Sequence, residues 1–152
     1  MAVIRKRATA GGGLNVNFQK VADAIRKDMQ AHMSDAVREG FREIVAGTPR
    51  DTGYAQSNWK ILFANVKVSA LPPKDKSQQY PGVDEVMARE ELKFQFIRKD
   101  GFNTGFRFNN ETPYIYELER GHDPKRGFVQ RGMTRMKIEL EKTMKKRTKV
   151  NR

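Results

Sequence analysis

The sequence predicts an α+β fold, in which a long N-terminal amphipathic helix and a C-terminal helix pack on a small antiparallel sheet. Three observations carry this. Phe18, Val21, Ala22, Ile25, Met29, Met33, Ala36, Val37, Phe41, Ile44 and Val45 recur at spacings of three and four, the signature of one helical face. From Trp59 to Val68, Trp59, Ile61 and Phe63 alternate with Leu62, Ala64, Val66 and Val68, which is strand periodicity with both faces partly apolar. Val129, Met133, Met136, Leu140 and Met144 then return to the helical period near the end of the chain.

Each element follows from its own residues. Residues 1–14 are basic and then glycine-rich, with Arg5, Lys6 and Arg7 ahead of Gly11, Gly12 and Gly13; they read as a flexible arm. Asn17 is placed to cap the first helix, and Val16 and Val21 to form a hydrophobic staple. Gly47 and Pro49 supply its stop. The helix is expected to run for roughly 28 residues, about 42 Å. Its apolar spacing drifts from a strict heptad, which disfavours a coiled coil. Residues 48–58 are polar and read as a turn or loop before the strand at Trp59.

Leu71-Pro72-Pro73 through Ser77 ends that strand, and the loop is expected to continue to Gly82. Residues 83–93 suit a short helix with a thin apolar edge at Val83, Val86 and Met87. Phe94-Gln95-Phe96 and Phe106-Arg107-Phe108 flank Asp100-Gly101 and Gly105, which predicts a β-hairpin with its aromatic residues on one face. Thr112 and Pro113 are the expected cap and first position of a helix from Tyr114 to Arg120, closed by Gly121. The loop His122–Gly127 leads to the second amphipathic helix. One domain therefore spans residues 15–144, followed by a basic tail over 145–152.

Charged residues form 32% of the chain and the hydrophobic set 38%, so its core is small. Thirty Lys and Arg against 18 Asp and Glu give a net charge of +12, which attracts polyanions or acidic partners. Arg5, Lys6, Arg7, Lys145, Lys146 and Arg147 are the candidate contacts, because the excess is concentrated at the two ends. With no cysteine, disulfides and thiolate metal sites are excluded. No apolar run reaches the ~20 residues that span a bilayer, and the N-terminus lacks a signal-peptide core. Glu119 and His122 share a metal-type spacing, but no second ligand set accompanies them, and no serine sits in a nucleophile elbow. No metal, cofactor or catalytic residue is therefore expected. Gly105 before Phe106-Arg107-Phe108 echoes part of an RNA-binding strand signature, but alternating Phe on a strand is the pattern of a core.

Two stretches ask for more than generic folding. The first is Gly47-Thr48-Pro49-Arg50-Asp51-Thr52-Gly53, followed closely by Asn58-Trp59; the second runs from Asn109 and Asn110 through Pro113, Tyr114, Tyr116, Glu117 and Glu119 to Gly121, with Gly127-Phe128-Val129 beyond. Physically, Pro49 fixes φ after the helix. Asp51 is placed to accept hydrogen bonds from the Thr52 and Gly53 N–H groups in an Asx-type turn, and Gly53 can take positive φ. Trp59 is a large packing anchor entering the sheet. Tyr114 and Glu117 lie one helical turn apart, with Tyr116 rotated away from them.

In this order, after a long amphipathic helix, the two stretches resemble the tail-completion and head–tail joining (neck) proteins of long-tailed phages. The likeness extends from about Phe18 to Met144 and is weakest between Leu71 and Lys93. It rests on a Thr-Pro-x-Asp-Thr-Gly turn and a later Asn-x-x-Pro-Tyr-x-x-x-x-Glu-x-Gly segment. The resemblance implies a non-enzymatic virion subunit, made in the host cytoplasm and placed at the head–tail junction. It implies a homo-oligomeric ring, a hexamer, between the head–tail connector or adaptor and the tail terminator or tail tube, with a channel for DNA. Thr48, Pro49, Asp51, Thr52, Gly53, Trp59, Pro113, Tyr114, Tyr116, Glu117, Gly121 and Phe128 then become the candidate subunit interface. The alternative is a charge-driven, non-specific nucleic-acid-binding protein. A small hydrolase is a third class, with no motif behind it.

Overall fold

A computed structural model describes residues 4–6, 14–16, 18–63, 75–101, 105–121 and 124–150, with side chains described over 23–63, 75–99, 105–121 and 124–146. The elements in order are β1 (Ile4–Lys6), β2 (Leu14–Val16), α1 (Phe18–Gly47), α2 (Tyr54–Ser57), β3 (Lys60–Phe63), α3 (Val83–Arg89) and α4 (Glu91–Phe96). A π-helical turn over Ile97–Gly101 precedes β4 (Phe106–Asn109), α5 (Ile115–Arg120) and α6 (Phe128–Val150). The fold is α+β and mostly helical, with α1 and α6 as its two long members.

These two helices lie antiparallel and cross closely, because glycine removes the side chain from each at the crossing. A Cβ on Gly40 would stand 2.8 Å from the Met136 methyl and 2.9 Å from the Gly132 carbonyl oxygen. A Cβ on Gly132 would stand 2.7 Å from the Gly40 carbonyl oxygen. One on Gly47 would meet Phe128 at 2.8 Å. Residue numbers thus climb along α1 as they fall along α6. The helical stripe on α1 is core from Ala36 to Val45, where Ala36, Val37, Phe41, Ile44 and Val45 are buried.

Under this pair lie α3, α4 and the two-stranded antiparallel sheet. β3 pairs with β4 in the register Lys60↔Asn109, Ile61↔Phe108, Leu62↔Arg107 and Phe63↔Phe106. Phe41 joins the layers, with its ring 5.7 Å from Phe94 and 5.1 Å from Phe108 between centroids. Phe41, Phe94 and Phe128 are fully buried, and each contributes roughly 1.5–3 kcal/mol through removal from water.

The expected hairpin between Phe94–Phe96 and Phe106–Phe108 does not form. Residues 94–96 belong to α4, and the partner of β4 is β3. Val83, Val86, Glu90, Phe94 and Ile97 are three or four apart and form one helical stripe; Val86, Glu90, Phe94 and Ile97 on it are fully buried. Glu90 breaks the apolar pattern of this stripe. Its carboxylate is nonetheless well supplied with donors: Lys93 Nζ at 2.7 Å, Arg89 Nε at 3.1 Å and the Ile61 N–H at 3.2 Å. The last of these ties α3 and α4 to β3. Further ties to α1 come from Ser34, which donates to the Phe94 carbonyl at 3.0 Å, and from Arg38, which grips Glu91 through two 2.7 Å hydrogen bonds. Those bonds hold the Glu91 carboxyl below its usual range.

Three further expectations meet a different structure. Within the expected flexible arm, Ile4–Lys6 pairs antiparallel with Leu14–Val16, with Arg5 opposite Asn15 and Lys6 opposite Leu14. At the other end, α6 continues through Val150, so the basic residues taken as a tail belong to a helix. The polar loop at 48–58 contains α2, and every residue from Gly53 to Trp59 is buried. Asn17, Val66, Val68, Leu71 and His122 lie outside the described residues.

Candidate functional site

The sheet register brings the two motif stretches together. Because Lys60 pairs with Asn109, Trp59 ends the first stretch beside the start of the second. Asn110 Nδ2 then donates to the Ala55 carbonyl at 2.8 Å, and its Oδ1 accepts from the Thr112 N–H at 3.0 Å. One asparagine thereby fixes both the buried turn and the approach to α5.

The first stretch is held by carbonyls at the end of α1. The Thr48 N–H, just past the helix, bonds to Ile44 O at 3.1 Å and Val45 O at 3.3 Å, and side chains use the remaining lone pairs of these last-turn carbonyls. Thr48 Oγ1 donates to Ile44 O at 2.8 Å, and Gln56 Nε2 to Val45 O at 3.0 Å. Thr48 Oγ1 in turn accepts from Trp59 Nε1 at 2.8 Å, so the indole is oriented through a buried two-bond chain. Trp59 meets Phe128 edge-on, with centroids 6.3 Å apart. Gly53 has φ 88°, as the turn requires. The side chain shown closing that turn is Thr52, whose Oγ1 accepts from the Tyr54 N–H at 3.3 Å, while Asp51 is exposed. Below the turn, Arg89 forks to the Ser57 and Trp59 carbonyls at 2.9 and 2.6 Å.

In the second stretch, Pro113 and Tyr114 form a turn and α5 starts at Ile115, so Thr112 does not cap through its side chain. The Ile115 N–H bonds to the Thr112 backbone carbonyl at 3.1 Å, and Thr112 Oγ1 is buried without a partner among the described residues. Gly121 has an ordinary negative φ; its role is steric, since a Cβ there would run into the Glu117 carbonyl oxygen. Glu119 makes the decisive contact. Its carboxylate accepts from the Val129 and Gln130 N–H groups at 3.0 and 3.3 Å, and its carbonyl accepts from the Gly127 N–H at 2.9 Å. It therefore caps α6 from the preceding helix, satisfying free N–H groups and opposing the positive end of the dipole. Phe128, just inside that cap, is buried against Trp59.

Helix α5 stands as a wall between two open concavities. One, of about 520 Å³, lies between the first motif and α5; Pro49, Asp51, Gly53, Tyr114, Leu118 and Lys125 are among its lining. The other, of about 630 Å³, lies between α5, β4 and α6, with Trp59, Phe108, Ile115, Tyr116, Val129 and Met133 in its walls. Tyr116 is 71% exposed and Glu117 is exposed, while Tyr114 is half-buried at the first concavity. The candidate residues thus divide. Thr48, Gly53, Trp59 and Phe128 are interior; Pro49, Asp51, Pro113, Tyr114, Tyr116 and Glu117 reach the surface around α5. Lys145 and Lys146 are exposed near the far end of α6, Arg147 is on the same helix, Arg5 and Lys6 are in β1, and Arg7 lies outside the described residues.

Arg89 and Gln56 are organising residues that the sequence does not single out; Asn110 and Glu119 stand in the second motif, but their roles as bridge and cap become visible only in the structure. A signal existed for Glu119: Arg126-Gly127 before Phe128 offers no local side-chain cap, so one had to arrive from elsewhere. Among the described residues, no group of three or more His, Cys, Asp or Glu is arranged to hold a metal, and no helix is long and apolar enough to cross a membrane. No family model, curated protein or solved structure matches the chain.

Proposed function

We propose that this chain is a structural subunit of the phage neck, a ring-forming tail-completion or head–tail joining protein that leaves a channel for DNA. The observation that supports the reading is the union of the two motif stretches. Far apart in sequence, they form one buried unit through the β3–β4 pairing, the Asn110–Ala55 bond and the Trp59–Phe128 contact. The unit presents α5, with Tyr116 exposed, between two concavities. A helix carrying an exposed tyrosine and flanked by hollows suits a heterologous contact, in which a projection of one subunit enters a hollow of the next. The subunit's work on this reading is geometric, and neither a cofactor nor a catalytic group takes part.

The second reading, charge-driven nucleic-acid binding, is favoured by the exposed Lys142, Lys145 and Lys146 near the end of α6. Labelling this subunit on purified particles and locating the label by electron microscopy separates the two. Label at the head–tail junction is expected. Absence from particles, combined with tight DNA binding by the free protein that weakens steeply with salt, would replace the first reading with the second.

A further inference from the structure

The outer face of the α1–α6 layer carries two parallel rows of opposite charge. At 100° per residue, Asp28, Asp35, Glu39 and Glu43 fall on one stripe of α1. This stripe faces away both from Gly40 and Gly47, which meet α6, and from Val37, Phe41 and Ile44, which meet the core. Arg131, Arg135, Lys142 and Lys145 fall on one stripe of α6, away from Gly132 and Met136 on the α1 side and from Val129 and Met133 on the concavity side. Antiparallel helices turn in opposite senses when viewed from one end. Both stripes therefore emerge on the same side of the layer, opposite the core.

These charges are incompletely neutralised within the chain. Asp28 pairs with His32 at 3.0 Å, but Asp35, Glu39 and Glu43 have no hydrogen bond or ion pair among the described residues. Arg135 and Lys142 share a single carboxylate, Glu139, at 3.1 and 3.4 Å. All four cations of the α6 row are exposed. Apolar surface lies beside the rows: Ile25 is 49% exposed, Met29 48% and Ile138 40%.

We infer that this face binds the same face of a second copy around a two-fold axis running along the helices. Rotation about that axis turns the layer over and exchanges left for right, so α1 of each copy lies against α6 of the other. Each acidic row then meets a basic row, and one set of side chains satisfies both halves of the contact, as an isologous interface requires. A basic polyanion-binding surface would have no use for the acidic row, and an acidic partner would be repelled by it. The contact is independent of the ring reading.

Charge reversal tests the geometry. The first variant carries Glu39→Lys and Glu43→Lys; the second carries Arg135→Glu and Lys142→Glu. Each alone opposes like charges across the two-fold, and sedimentation or native mass spectrometry should find it at half the mass of the wild-type assembly. Mixed, the two variants are complementary at both row pairs and should restore that mass with one copy of each. This recovery also confirms that both variants are folded. A wild-type chain that is monomeric at 100 mM salt and about 100 µM protein, variants that keep the wild-type mass, or folded variants that fail to associate on mixing would each overturn the inference.

Discussion

The Gly40–Gly132 crossing sets the distance between the two long helices, and Gly132→Ala measures it. The added methyl would stand 2.7 Å from the Gly40 carbonyl oxygen and 2.9 Å from Ile44 Cδ1, and would overlap Ile44 Cγ1. Ile44 can rotate only at the expense of a fully packed site, since it is completely buried. The Gly40 oxygen is backbone and moves only if the helices separate. Overpacking of this kind costs about 1–3 kcal/mol. Alanine is better than glycine in a helix by about 1 kcal/mol, which works in the opposite direction. The expected net loss is therefore about 0–2 kcal/mol, read from the urea midpoint by far-UV circular dichroism with an unchanged slope. A domain of this size would melt up to about 8 °C lower. Ile44→Ala removes two of the three overlapping atoms, so the double variant should be less destabilised than the sum of the single ones, by about 1 kcal/mol. A Gly132→Ala protein that is more stable than wild type, by the helix preference alone, would refute the close crossing.

Other perturbations address the motif unit and its supports. Thr48→Val leaves Trp59 Nε1 buried without its acceptor and should cost about 1–3 kcal/mol in the same assay, with a shift in tryptophan fluorescence. Glu90→Ala strips the Ile61 N–H of its acceptor and separates Lys93 and Arg89 from their shared carboxylate; a loss of about 3 kcal/mol is expected, and a neutral result would show that the network is not needed. The Arg38–Glu91 pair has a pH signature. Its depressed carboxyl contributes stability above the unfolded value of about 4.3, and that contribution disappears as pH falls through the lower folded-state value. Urea titrations between pH 6 and pH 3 should therefore show a shallower acid loss in Glu91→Gln than in wild type.

The long helices were legible because their apolar residues keep a 3.6-residue period over many turns, β4 because Phe106 and Phe108 alternate with polar residues, and β3 because Trp59, Ile61 and Phe63 keep a period of two within a run apolar on both faces. The partner of β4 was not. The Phe94–Phe96 alternation is sequence-near and imitates a strand, while Glu90 interrupts the stripe that marks the same residues as helical. A carboxylate reads as surface until its donors, Lys93, Arg89 and the Ile61 N–H, are known. The first motif failed for a related reason. Thr48, Gln56, Ser57 and Asn58 look like loop residues by polarity, yet all four are buried. Their hydrogen-bonding atoms meet backbone carbonyls that the end of α1 and the α2 turn leave available. Sequence shows which residues are polar; it does not show which backbone groups remain to be satisfied around them. The turn glycine, Gly53, and the anchor, Trp59, were recoverable because each depends on a property of a single residue.

Helix α1 is one continuous element with two thermodynamic regimes. From Gln30 onward it alternates with the core and is braced by Ser34, Arg38 and Arg42 against α3 and α4. Ahead of Gln30, residues 23–29 are exposed or half-buried, as are residues 141–146 of α6. Backbone amides in the first regime open only with the whole domain, while those in the second open by fraying of the helix ends. Hydrogen exchange should therefore step sharply within α1, near Gln30, with no break in the helix to mark the place. Exchange in the segment ahead of Gln30 and in residues 141–146 can then proceed without disturbing the Trp59 unit at the opposite end of the same pair.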